Sequence, residues 1–473
     1  MFIGRRSELD FLEEKYRETN GNFILIYGRR RIGKTALVNE FIKKKESIYL
    51  FATQEERVQT IKKFSQKVSD FFSDTFMSGN PVSDWDAFFQ YLAIKLQSHP
   101  SKIIIAIDEV TYIIEQDKTF LSVLQKYYDM YFRKINCLLI LTGSLVNIVY
   151  NEILDYRSPL YGRRTGNIEL TELKFMEIRE FFPQIDIEKL VVLYSIFGGV
   201  PYYLELLGNG QNPLEKFLNK NNIFYTDVQF ILSQELRSPE KYFTILELIA
   251  NGKVTTTEIS HAMNLNSNEI SPYIDKLISM KIISRDFPFL SRKRNSAILR
   301  IMSNYFNFYF RFVFPNQEMV ETGRKQALLK QIERNMPSYV SRVFERICID
   351  LLLARSKELF GREILEIGNW WGRNPMKQKG SDMEEIDIIG TYEGGGMIFG
   401  EVKWTNSKTG LETFMNLKSK SEIFSCNEKM YVIISKAGFQ SSLVAYAETN
   451  RERLVLLDLD QMTSCEGNRE NSK

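Results

Sequence analysis

The stretch FILIYGRRRIGKTALVNEFI, residues 23 to 42, limits the fold more than any other part of the chain. An apolar strand, Phe23 to Tyr27, runs into a glycine-bearing loop and then an amphipathic helix. Gly28 to Thr35 fits the pattern GxxxxGK[ST]. Such a loop turns its backbone N–H groups inward around phosphate oxygens, and glycine permits the backbone angles and close approach that this needs. Lys34 supplies a point charge to the β- and γ-phosphates, the Thr35 hydroxyl suits Mg²⁺, and the helix start adds a positive field. The expected nucleotide cradle is therefore Gly28, Arg29, Arg30, Arg31, Ile32, Gly33, Lys34, Thr35 and Ala36. Phosphate chemistry does not require the three arginines. Solvated charge and a contact with a neighbouring domain both stay open for them.

A magnesium–nucleotide site also needs carboxylates. KIIIAIDEV is an apolar strand ending in Asp108 and Glu109. Asp108 suits the shell of Mg²⁺, and Glu109 suits a general base acting on the attacking water. A third strand, NCLLILTGS, ends in Thr142 and Ser144, whose hydroxyls fall where a residue can sense a γ-phosphate. Strands are expected at 23–27, 47–52, 102–107, 137–142 and 167–170, alternating with helices. That alternation predicts an α/β fold with a parallel sheet wrapped by helices. Ligands bind such sheets at the carboxyl ends of the strands, where Gly28, Asp108 and Ser144 lie.

The segments FIGRRSEL, YGRRRIGKT, IDEV, LTGS, PLYGRRTGNIEL and FGGVPYYL occur in an order that resembles the archaeal-type ATPase family, a branch of the AAA+/STAND P-loop ATPases also found in bacteria. The resemblance covers about residues 1 to 235. It implies that Phe2 to Arg5 lie near the adenine, and that Arg163 or Arg164 approaches the γ-phosphate as a finger or sensor. It also implies that Gly199 to Pro201 line the base from a helical lid.

The middle of the chain carries VTTTEISHAMNLNSNEISPYIDKLISMKIISRD, which reads as a helix-turn-helix. Thr255 and Glu258 form a capping box. Ile259, Ala262 and Met263 share a face, and Ile270, Ile274, Leu277 and Ile278 point inward at helical spacing. SRKRNSAILRI then resembles a basic wing and its returning strand, so a winged-helix domain is expected. Its second helix mixes Glu269 and Asp275 with Lys276 and Lys281, whereas a major-groove reader offers Arg, Lys, Asn or Gln. Only Arg292, Lys293 and Arg294 of the wing are clearly cationic, and direct DNA contact competes with a scaffolding role. His261 reads as structural. With His99 the only other histidine, no histidine-based metal or triad site is expected.

In the last quarter, SYVSRVFERICIDLLLA is an amphipathic helix carrying Glu345, and EIDIIGTYEGGGMIFGEVKW is a hairpin. The period of two puts Glu385 and Asp387 on one strand face, and Glu401 and Lys403 on one face of the next. A turn at Gly394 to Gly396 brings Asp387 opposite Glu401. Facing carboxylates repel unless a divalent cation removes the cost. Lys403 would then stabilise an attacking hydroxide or developing phosphorane charge. Glu345, Asp387, Glu401 and Lys403 resemble, in type and order, the PD-(D/E)XK nuclease core of the restriction-endonuclease-like fold. The resemblance implies a metal held by Glu345, Asp387 and Glu401, a second Mg²⁺ or Mn²⁺ beside that of the ATP site. A solvated hairpin face, or a fold without the reaction, is the competing reading. Gly372 to Gly380 is a basic loop able to touch phosphates.

The 473 residues carry a net charge of +3, which by itself excludes neither a nucleic-acid nor a protein partner. Cys137, Cys348, Cys426 and Cys465 lack metal-ligand spacing and read as reduced thiols. The N-terminus lacks an apolar signal region and no apolar run reaches the ~20 residues of a membrane span, so a soluble cytoplasmic protein is expected. YFNFYFRFVF, residues 305 to 314, reads as a buried aromatic helix or strand. The expected domains are an ATPase core at 1–170, a helical lid at 171–238, a winged helix at 239–302 and a helical connector at 303–336. A nuclease-like α/β domain at 337–462 and a polar tail at 463–473 complete the chain. Two functional classes follow. One is a Mg²⁺-dependent ATP hydrolase whose nucleotide state gates DNA cleavage or remodelling. The other is a nucleotide-controlled switch whose outer domains bind protein or DNA without cutting. Oligomeric state is not read from the sequence.

Overall fold

The structure is a computed structural model that describes residues 2–208, 212–236, 238–291, 296–375, 377, 382–449 and 454–463. Backbone contacts divide the chain into two units. Met1–Leu173 with Val200–Leu206 forms the first, and Lys174–Gly199 with Leu207–Lys473 the second. The lid expected at 171–238 is thus shared between them.

The first unit is built on β1 (Asn22–Tyr27), β2 (Ser47–Phe51), β3 (Ile103–Asp108), β4 (Cys137–Gly143) and β5 (Gly166–Glu169). They form one parallel sheet in the order β2-β3-β4-β1-β5. Every residue of β1, β3 and β4 is buried, as expected of strands covered on both faces. Alternate residues feed two cores. Phe23, Leu25, Leu139 and Leu141 pack into one, while Ile24, Ile26, Leu138 and Ile140 join Leu37, Val38 and Phe41 of the Lys34–Ile42 helix in the other. Because β4 lies between β1 and β3, Tyr27 pairs with Gly143 and Ile107 with Leu141. The register therefore brings Gly28, Asp108 and Ser144 to one edge of the sheet. The parallel sheet expected from the alternating strands is borne out.

The second unit contains three short helices, Glu240–Ala250, Thr256–Ala262 and Ser267–Ser279, followed by the antiparallel pair β6 (Ile283–Asp286) and β7 (Ile298–Ile301). Thr255 Oγ1 accepts from the Glu258 N–H at 3.2 Å, and Glu258 Oε2 accepts from the Thr255 N–H at 3.0 Å. Ile259, Ile270, Ile274 and Leu277 are buried. Ala262 is exposed, and Met263 and Ile278 are half-buried. Ala262 ends the helix and Met263 caps it, so neither faces the core as a mid-helix residue would. His261 is exposed rather than structural. Arg292, Lys293 and Arg294 lie outside the described residues, as does Cys465. Cys137 and Cys348 are buried thiols, and Cys426 is half-buried.

Residues 305 to 314 are helical and buried except for the half-buried Asn307, Arg311 and Phe314, with widened turns from Tyr309 to Val313. A 30-residue helix, Lys325–Ala354, follows and packs on the second sheet. It runs unbroken through the expected boundary at 336/337, with Pro337 inside it. That sheet comprises β8 (Ile364–Arg373), β9 (Met383–Tyr392), β10 (Gly396–Lys403), β11 (Lys429–Ser435) and β12 (Leu454–Asp458), in the order β12-β11-β10-β9-β8. β8, β9 and β10 are antiparallel, and the turn into β10 uses Gly394 and Gly395 at φ 93° and 81°. β10, β11 and β12 are parallel, joined through the helices Leu411–Ser421 and Ser441–Thr449.

The loop between β6 and β7 covers the outer strand of this sheet. The Phe289 N–H donates to the Asn369 carbonyl at 2.9 Å, Trp371 Nε1 donates to the Ser296 carbonyl at 2.9 Å, and the Phe289 ring joins the sheet's core. An open row of backbone groups at an edge is thus partly occupied. At the centre of the sheet Gly400 has no room for a side chain, since a Cβ there would meet Val432 at 2.8 Å and Ile388 at 2.9 Å. Gly400→Ala is expected to cost about 1–3 kcal/mol by overpacking. Chemical denaturation followed by tryptophan fluorescence checks this, and an unchanged midpoint would mean that the flanking strands move apart.

Candidate functional sites

At the end of β1 the chain must turn sharply under β5. Gly28 has φ 147°, and a Cβ there would lie 2.3 Å from the Leu170 carbonyl oxygen. Gly33, at φ 93°, starts the Lys34–Ile42 helix. Lys34 is 4% exposed and donates to the carbonyls of Gly28 at 3.0 Å and Arg29 at 2.9 Å. Its ammonium thus spans the loop from inside. The Thr35 hydroxyl donates to Asp108 Oδ2 at 2.7 Å. Asp108 is fully buried and also accepts from the Tyr49 hydroxyl, the Thr142 hydroxyl and the Glu109 N–H. Burial, followed by the hydrogen bond to Asp108, raises the Tyr49 phenol well above its usual range, so Tyr49 stays a donor.

Glu109 adopts a left-handed backbone, φ 57°, ahead of the Val110–Gln116 helix. Its Oε2 accepts from the Ser144 hydroxyl at 2.6 Å and the Ser144 N–H at 3.2 Å. The end of β4 therefore aims the carboxylate that follows β3.

Two of the three loop arginines, Arg30 and Arg31, are engaged by aromatic side chains within the first unit. Arg30 donates to the Tyr112 hydroxyl at 2.7 Å, and the Arg31 guanidinium stacks 4.5 Å from the Tyr202 ring centre. Cation–π contact of this kind contributes about 0.5–2 kcal/mol. Pro201 lies 3.9 Å from the point where a Gly33 Cβ would sit. Arg5 donates to the carbonyls of Ile32, at 3.3 Å, and Thr171. Arg163 is committed elsewhere, with its Nε donating to Asp129 at 2.9 and 3.0 Å. Arg164 donates to Asn167 at 2.8 Å and is half-buried, which lowers its pKa against the opposing charge of Tyr27. Tyr49, Tyr112 and Tyr202 were not singled out in the sequence. Alternation along β2, which puts residues 47, 49 and 51 on one face, was the one available signal, and it pointed to Tyr49 alone.

In the second unit a register shift separates two pairings. Gly368 faces Ile389 while Trp370 faces Ile386, so β9 carries an extra residue beside Asp387. A bulge of this kind re-aims a side chain. Asp387 Oδ2 accepts from the Val402 N–H at 2.9 Å, and its carbonyl accepts from the Asn369 side chain at 2.7 Å. Glu401 is 9% exposed, and its Oε1 accepts from Lys403 Nζ at 2.6 Å. Glu401 Oε2 makes no hydrogen bond, and Lys420 Nζ stands 3.6 Å away.

Charge interactions tie these groups together. Burial, then the Asp387 and Glu385 charges, push the Glu345 carboxyl up to about 8. Burial, then Glu401, raise Asp387 above the usual carboxylate range. Burial alone would lower the Lys403 ammonium, but Glu401, Asp387 and Glu345 more than reverse this. The structure thus brings together the four residues singled out in the sequence. It does not assemble the expected three-carboxylate ligand set. Among the described residues no three His, Cys, Asp or Glu side chains converge to hold a cation. Lys403 and Lys420 approach Glu401 in place of a third carboxylate.

Residues 2–207 match the profile of an ATPase domain predominantly from Archaea. Over 448 residues the chain is 32% identical to the uncharacterized protein MJECL04 of Methanocaldococcus jannaschii, an alignment covering 92% of this chain and 96% of that one. The chain belongs to this archaeal-type ATPase family. Residues 309–414 of this archaeal-type ATPase match archaeal and bacterial proteins of unknown function. A 46-residue segment is 50% identical to the uncharacterized ATP-binding protein MJ0423 of the same organism, covering 10% of this chain and 78% of that one. Among solved structures, the Walker-type ATPase paby2304 of Pyrococcus abyssi is similar over 65% of this chain and 96% of its own, at 20% identity and a TM-score of 0.49. No helix among the described residues is long and apolar enough to cross a membrane.

The raised Glu345 carboxyl makes a stability prediction. Its folded value of about 8 exceeds the ordinary 4.5, so its contribution is intact below pH 4.5 and is lost as pH rises through 8. Glu345→Gln removes that loss. Its melting temperature is expected to match wild type at pH 5 and to exceed it by several degrees at pH 8, measured by tryptophan fluorescence. Equal melting at both values would place an ordinary carboxyl at 345.

Proposed function

We propose that the first unit binds Mg²⁺-ATP in the loop 28–36 and hydrolyses it. The observation that carries this reading is the Thr35–Asp108 hydrogen bond beneath a loop spanned by Lys34. Thr35 and Asp108 would hold the cation, which supplies charge neutralisation at the phosphates when bound. The backbone of residues 28–36 and the Lys34 ammonium bind and orient the phosphates. Glu109 takes a proton from the attacking water after leaving the Ser144 hydroxyl. Pro201 and the Arg5 region border the loop on the side where the base would lie. Arg164, rather than the Asp129-bound Arg163, is the better placed sensor.

The second unit is read as a winged helix followed by a PD-(D/E)XK-like domain that acts on DNA. The bulge beside Asp387, the Glu401–Lys403 pair and the strand order of the mixed sheet support this. Asp387 and Glu401 would hold a second Mg²⁺ or Mn²⁺, with Lys403 next to the reacting phosphate. A non-cutting switch is the second reading, favoured by the incomplete carboxylate set and by the two lysines on Glu401.

Lys34→Ala is expected to weaken ATP binding about 10- to 100-fold, the worth of a charge-assisted contact. Glu109→Gln should bind ATP normally and hydrolyse it about 10²–10⁴-fold more slowly. Calorimetry and phosphate release test both, and wild-type behaviour of either variant removes its assignment. Divalent-metal cleavage of single- and double-stranded DNA, with and without ATP, tests the second unit. Cutting that Asp387→Ala and Lys403→Ala both abolish supports the enzyme reading. Its absence from protein that still hydrolyses ATP selects the switch.

A further inference from the structure

The helix Leu411–Ser421 lies beside the Glu401 end of β10. Thr413, Asn416 and Lys420 recur along it at helical spacing and, with Glu401 and Lys403, line a polar pocket of about 340 Å³. Two further wall residues, Lys377 and Glu384, form an ion pair with each other. That leaves two ammonium groups, Lys403 and Lys420, against one carboxylate, Glu401. The carboxylate is nine-tenths buried, and its Oε2 lacks a hydrogen bond. Lys420 is held near it by the Glu385 carbonyl, to which Nζ donates at 2.9 Å. Among the residues that line the pocket, three lysines thus face two carboxylates, and Lys420 is the cation without a close carboxylate of its own.

We propose that this pocket is a phosphate subsite of the C-terminal site, taking one phosphate group of a nucleic-acid strand, with Lys420 as its principal cation. The proposal rests on the nuclease-like reading of Asp387, Glu401 and Lys403 and names a further residue for it. The Lys420 ammonium has three donors, of which the Glu385 carbonyl takes one. Thr413 and Asn416 supply neutral donors on the same wall. A cation on Glu401 would weaken its hold on both ammonium groups and leave their charge to the phosphate. The two lysines on Glu401 would then be the form of the site without that cation. Lys420 acts as a positioning residue for the strand.

Binding of the full chain to a fluorescein-labelled single-stranded oligonucleotide, with and without a 5′-phosphate, tests this by anisotropy in Ca²⁺ over a range of salt. Lys420→Ala is expected to weaken binding about tenfold and to flatten the slope of log K against log salt by about 0.7. Lys420→Arg should restore most of both. Lys418→Ala, on the exposed side of the same helix, should leave the slope unchanged. A loss confined to the 5′-phosphorylated strand places a terminal phosphate in the pocket, and an equal loss on both strands places an internal one. Competition by inorganic phosphate alone, with no effect of Lys420→Ala on the oligonucleotide, would overturn the proposal in favour of a free anion. Should Lys420→Ala fail to fold, Asn416→Asp puts a repelling charge on the same wall and should weaken binding similarly. Wild-type affinity and slope in a folded variant, while Asp387→Ala still abolishes cutting, would overturn the role of Lys420 alone. A wild-type chain that neither binds nor cuts would remove the nuclease-like reading, and this proposal with it.

Discussion

A carboxylate buried at the end of a strand has to be given donors or opposite charge, and both units of this chain are organised around that requirement. In the first unit both oxygens of Asp108 have donors. The hydroxyls of Thr35, Tyr49 and Thr142 and the Glu109 N–H all donate to it. Those four donors come from β2, β4, the Lys34–Ile42 helix and the turn after β3. One buried charge thus fixes the relative positions of four segments, and the loop around Lys34 rests on them. Hydrogen bonds to a charged group contribute about 1.5–3 kcal/mol each and cost more when broken inside a core.

The second unit answers the same requirement incompletely. Asp387 has one backbone donor, Glu401 is shared between two lysines, and Glu345 is pushed toward its neutral form. Such under-satisfied groups are costly, and in structures they concentrate where a ligand or reaction completes them. The contrast is physical: both oxygens of Asp108 have donors from the fold, while one oxygen of Glu401 has no hydrogen bond.

The parallel sheet was legible because its strands are continuous apolar runs ending in chemistry, as at Asp108 and Gly28. The C-terminal hairpin was legible because its period of two and its glycine turn leave one register. The bulge beside Asp387 was not, since an extra residue in a strand has no local signature in EIDIIG. The aromatic partners of Arg30 and Arg31 were hidden for another reason. Tyr112 and Tyr202 lie far along the chain, and only the folded sheet brings them to the loop. The loop between β6 and β7 was expected as a basic wing with DNA contact and a scaffolding role both open, and its described flanks are bonded to β8.

The helix Lys325–Ala354 has no break where a domain boundary was drawn, and Glu345 sits on its second half. A helix rises ~1.5 Å per residue and resists bending far better than a loop. Any tilt imposed near Lys325 therefore reaches Glu345 as a displacement, as at the far end of a rod. Pro337, which lacks the N–H of one ladder hydrogen bond, lies between the two without ending the helix. The geometry of the C-terminal carboxylates is in this sense mechanically addressable from a distance of several helical turns, without any mobile linker.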